Sequence, residues 1–166
     1  MSWLERFDAF VNRALAWAAG LALIAMMVFT VADMVLRALG RPVAGSYEII
    51  GWLSAAAMAL ALGYTQQHRG HVAIDLLTTR LQGRARAAVE LLMSLLALLL
   101  FAALAWYLAR YGRVLHETGS LSETLKAVVY PWVYVVAAGA AGLALALLVD
   151  FLRSAARLRA AQRQGW

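Results

Sequence analysis

The 166-residue chain contains no cysteine, which removes disulfides, thiolate metal sites, iron–sulfur ligation and cysteine nucleophiles together. Charge is the second shortage. Only 14% of residues are Asp, Glu, Lys or Arg, against 64% hydrophobic residues and a mean hydropathy of +0.72. A soluble domain of this size must hydrate much of its surface and does not have such a composition. The charged residues are also unevenly placed, because residues 14–32, 49–68, 91–109 and 127–149 contain none. Other absences narrow the chemistry. The sequence carries no phosphate-binding loop, zinc signature, nucleophile constellation, internal repeat or low-complexity tract.

The four charge-free windows define what is there. A hydrocarbon core of about 30 Å takes about 20 apolar residues at 1.5 Å rise, so each window is long enough to cross a bilayer as a helix. The expected fold class is all-α integral membrane, a single membrane domain over residues 1–166 with spans near 14–36, 47–67, 89–109 and 131–151. Little chain remains for a separate catalytic domain.

The net charge of +6 orients these spans. Ten of the fifteen Lys and Arg residues fall in the N-terminal segment, the second connection and the C-terminal segment, and five in the first and third connections. This bias predicts that both termini are cytoplasmic. Trp17, Trp106, Tyr107, Tyr130, Trp132 and Tyr134 sit near window ends, as interfacial aromatic residues do. The first window is longer than the apolar stretch of a signal peptide and follows Glu5 and Asp8, which favours a retained span over a cleaved one.

The segments between windows suggest short amphipathic surface helices. Ser2 and Glu5 read as a capping box ahead of Trp3, Phe7, Phe10 and Val11 at helical spacing, a short helix on the membrane leading into the first span. In the second connection, Leu77 and Leu81 share one face and Arg80 and Arg84 another, with Gly83 weakening the pattern. In the third, Ser120 and Glu123 form another capping box before Leu121, Leu125 and Val128 or Val129, and Pro131 is expected to end that helix.

Candidate sites are few. Asp33 and Arg37 lie four apart with the acid first, a spacing that pairs them on one helix face, and Glu48 begins the next span on the same side of the membrane. Arg37 bridging Asp33 and Glu48 would clamp the first hairpin; alternatively the acids face a partner, or the group is an interfacial cluster with no special role. His71 and Asp75, again four apart, would pair at the turn after the second span. Haem ligation is disfavoured because His68 and His71 lie on one side of the membrane and His116 on the other. No carboxylate falls inside a window, which argues against a stand-alone proton-coupled exporter. Ala55, Ala59 and Gly63 in the second span, and Ala138 with Gly142 in the fourth, form small-residue stripes that allow close helix approach, either to each other or to a separate subunit.

Taken in order, Arg37, Gly45-Ser46-Tyr47-Glu48, Gly63, His71-Val72-Ala73-Ile74-Asp75 and Pro131-Trp132-Val133-Tyr134 resemble the small membrane subunit of tripartite ATP-independent periplasmic (TRAP) transporters over nearly the whole chain. The chain departs from that pattern where the family often pairs two acids and this sequence has only Glu48. The resemblance implies a non-catalytic subunit in a bacterial inner membrane, without a cofactor of its own. Its partners would be a large membrane subunit, which holds the substrate and sodium sites, and a periplasmic protein that captures an organic acid. Asp33, Arg37, Glu48, His71, Asp75, Pro131 and Tyr134 are the expected interface residues. A membrane anchor for a redox enzyme is the alternative that four spans with inside termini would also serve.

Overall fold

The computed structural model describes residues 3–68 and 83–163. Among them are four helices: α1 (Trp3–Ala38), α2 (Ser46–Gln67), α3 (Gly83–Thr118) and α4 (Tyr130–Arg163). All four contain a stretch long and apolar enough to cross a membrane, and the four expected spans fall one within each helix. At 1.5 Å per residue α2 is about 33 Å long, close to the hydrocarbon thickness, whereas the other three extend beyond it.

Helix α4 is central. It packs along α2 and α3 and touches α1, while α1 runs along α2, so α1, α2 and α4 form a three-helix cluster with α3 on the other side of α4. The buried core reflects this arrangement: it includes Ala137, Ala140, Leu143, Ala146, Leu147 and Val149 of α4 and a stripe on α2 containing Ala56, Ala59 and Leu60. None of the apolar window of α3 is buried.

Small residues set the helix spacing, because lipid gives no hydrophobic drive for helices to associate and close backbone approach supplies dispersion instead. Gly139 abuts the Ala59 backbone, and Gly63 faces the Gly142 backbone, so the stripes of α2 and α4 meet each other inside this chain. The phase differs from expectation at two positions. Ala55 and Ala138 point outward, and the buried line on α2 runs through Ala56, Ala59 and Gly63.

Two surface segments also differ from the sequence reading. The N-terminal amphipathic segment is not a separate surface helix; it forms the first turns of α1, with Asp8 and Asn12 buried against the bundle. The Ser120/Glu123 capping box starts no helix. Residues 119–129 instead form a tight loop in which Leu121 and Val128 bridge, Ser122 N–H donates to the Ala127 carbonyl at 2.9 Å, and Lys126 adopts φ 52°. Pro131 accordingly lies in the first turn of α4, where its missing N–H breaks no helical bond, rather than at the end of a preceding helix. The amphipathic pattern around Leu77 and Leu81 lies outside the described residues.

Candidate functional site

Polar side chains gather at the two ends of the bundle. At the loop end, α1 closes on Gly40 at φ 73°, with Arg41 N–H reaching the Leu36 carbonyl at 2.9 Å, a glycine-dependent helix stop. The stop turns the chain back so that Asp33 and Arg37, one turn apart, face the start of α2. Arg37 Nε donates to Asp33 Oδ2 at 2.7 Å and its Nη2 donates to Ser46 Oγ at 2.8 Å, while Asp33 Oδ1 accepts the Val43 N–H at 3.1 Å. Arg37 also lies 5.3 Å from the Tyr47 ring centroid, within cation–π range. Asp33 and Arg37 therefore tie the end of α1 to Val43 and Ser46, not to Glu48 as the expected clamp required.

Glu48 does something else. Its carboxylate accepts the backbone N–H groups of Thr124 at 2.7 Å and Leu125 at 3.2 Å, so it holds the third connection and is not bridged by Arg37. The Leu125 side chain covers Gly45, whose φ of 72° and lack of a side chain make room for it. Glu48 thus ties the start of α2 to the loop joining α3 to α4. Tyr134 stacks edge-on with Tyr130 at 6.3 Å and packs on Gly112, fastening α4 to α3. His116 meets the Tyr130 ring edge-on at 4.7 Å, and Trp52 stacks on Trp132 at 5.6 Å between α2 and α4. His71 and Asp75 lie outside the described residues.

The terminal end holds a polar cluster that spacing alone did not reveal. Asn12, fully buried, donates through Nδ2 to Asp8 Oδ1 at 2.7 Å and to the Gly142 carbonyl at 3.2 Å. Gln67 Nε2 donates to Asp8 Oδ2 at 2.8 Å, and Gln66 Nε2 donates to Asp150 Oδ2 at 3.0 Å. Arg153 pairs with Glu5 at 2.9 Å. These contacts link α1, α2 and α4. The available signal was composition: Asn12 and the Gln66-Gln67 pair stand at the edges of apolar windows, where unpaired amides would be costly.

These features make an all-helical, multi-pass membrane protein whose polar groups near the spans join its own helices and loops; the described residues include no group of three or more His, Asp and Glu able to hold a metal. The class is a membrane subunit. Over residues 26–157 the chain matches the family model of tripartite ATP-independent periplasmic transporters, DctQ component, and it belongs to that family. It is a small permease subunit of a transport system in the inner membrane, not an enzyme. No curated protein and no solved structure matches it.

Proposed function

We propose that this chain braces the immobile scaffold of a large membrane subunit in a sodium-coupled importer of organic acids supplied by a periplasmic binding protein. The observation that carries this reading is the use of its carboxylates. Asp8, Asp33, Glu48 and Asp150 each accept a hydrogen bond from within the chain, at joints between helices or between a helix and a loop. Groups engaged in this way stiffen a support, whereas a coupled transport site needs carboxylates free to exchange partners. The apolar side chains meanwhile face outward: Leu21, Ile24, Val28 and Val31 on α1, and Leu92, Leu96, Leu99 and Leu100 on α3. Broad apolar faces on both flanks suit a subunit seated between lipid and a larger membrane partner. Sodium and substrate then bind to that partner.

In this arrangement the termini face the cytoplasm and the Asp33–Arg37 and Glu48 joints face the periplasm, as the arginine bias requires. The periplasmic side also presents Tyr47 and the Glu48-anchored loop towards the binding protein. Reconstitution tests the role. Proteoliposomes containing the large subunit and binding protein should take up substrate down a sodium gradient only when this chain is included; equal uptake without it would refute the bracing role.

A further inference from the structure

Helix α3 turns one stripe outward at its loop end. Leu99, Ala103, Trp106, Arg110 and Arg113 recur at alternating steps of four and three, which keeps them on one face, and all five are exposed. The far side of the same turns is marked by Gly112, buried against the Tyr134 ring of α4. Trp106 is 66% exposed although it lies within the charge-free window 91–109. The two arginines follow directly after that window. Among the described residues neither makes an ion pair, in contrast to Arg37, whose guanidinium is committed to Asp33 and Ser46.

Neither arginine serves the joints at this end of the bundle. Both stand on the side that carries only five of the fifteen Lys and Arg residues, so the bias that orients the chain does not account for them. Like charges one turn apart on a helix repel. Their height is set by the window, which at 1.5 Å per residue is about 28 Å long and fills the hydrocarbon core. Arg110 and Arg113 then start about 1.5 and 6 Å outside its edge, within the headgroup layer. Glu117, the next carboxylate along α3, starts about 12 Å out, beyond that layer, and makes no ion pair with either arginine among the described residues.

We propose that this face of α3 binds an anionic phospholipid. Its phosphate lies between the guanidiniums of Arg110 and Arg113, and an acyl chain runs past Trp106 and over Ala103, whose small side chain leaves room for it, to Leu99. Charge selects the headgroup. A zwitterionic lipid brings its ammonium towards two cations, whereas an anionic diester brings only the charge that relieves their repulsion. Inorganic phosphate has nothing to lay along Trp106 and Leu99, and an acidic protein segment would have to enter where the bilayer already supplies phosphates. The site does not depend on the transport role.

Photolabelling tests it. The full chain, with whatever subunit accompanies it, is placed in nanodiscs carrying a trace of phosphatidylglycerol or phosphatidylethanolamine with a photoreactive acyl chain, and labelled peptides are mapped by mass spectrometry. The expected result is several-fold more label between residues 99 and 106 from phosphatidylglycerol than from phosphatidylethanolamine. Arg110→Gln/Arg113→Gln should bring the two lipids to equal labelling. The wild-type comparison decides alone if that variant cannot be purified. Equal labelling by the two lipids in the wild type, no label on this stretch from either because a protein covers it, or a preference unchanged in the double variant would overturn the proposal.

Discussion

The carboxamide of Asn12 lies against the Cα of Gly63, in the space that any side chain at position 63 would fill. Gly142 closes the same site from α4, lending its carbonyl to Asn12 Nδ2. One polar side chain on α1 thus occupies a point where α2 and α4 approach closely, and both helices carry glycine there. Asn12 Oδ1 is buried and accepts no hydrogen bond among the described residues.

Gly63→Ala should therefore lower stability in detergent by about 1–3 kcal/mol, the usual cost of overpacking a filled site. The added methyl would collide with Asn12, so Asn12→Ala in the same chain should recover part of the loss. A double-mutant cycle from thermal unfolding measures the coupling; strictly additive losses would show that the two residues do not share this space.

Asp8→Ala removes the acceptor common to Asn12 and Gln67. Leaving buried donors unpaired costs about 1–3 kcal/mol, and Asp8→Asn, which retains one acceptor oxygen, should cost less. The same unfolding assay separates them, and equal stability for Asp8→Ala and wild type would dismiss the cluster as a structural element.

Arg37→Ala leaves Asp33 charged and without its ion-pair partner near the membrane surface, although the Val43 N–H still donates to it. Folded yield should fall, and should recover in Arg37→Ala/Asp33→Asn, where the uncompensated charge is gone. A double variant as poorly expressed as the single one would shift the explanation from charge to the lost Ser46 contact.

Glu48→Gln replaces a charged acceptor by an amide oxygen, and charge-assisted hydrogen bonds are about twice as strong as neutral ones. The amides of Thr124 and Leu125 should then exchange faster with deuterium, while those in the middle of α2 do not change. Unaltered exchange at 124 and 125 would mean that the loop holds its shape without Glu48.

The four spans were legible because charge is absent from four windows and a bilayer imposes length, so residues 14–32 or 91–109 have few alternatives to helix. The Asp33–Arg37 pair was legible because helical spacing alone brings the two together. What escaped depends on contacts between distant segments. Ser120 and Glu123 have the spacing of a capping box, yet the backbone N–H groups of residues 124 and 125 find the Glu48 carboxylate, 76 and 77 positions away, and Ser122 closes a turn with Ala127 instead. Small-residue stripes showed that helices approach closely. Ala55 and Ala56 differ in facing by about 100°, and composition does not say which one turns inward. The Asp8–Asn12–Gln67 cluster joins α1 to α2 across 59 positions, which no local pattern encodes.

Purification of the tagged chain from native membranes in mild detergent, with mass spectrometry of whatever accompanies it, tests the central claim most directly. The account predicts a stoichiometric, much larger polytopic membrane protein. Recovery of the chain alone as a homo-oligomer, or together with soluble oxidoreductase subunits, would contradict it.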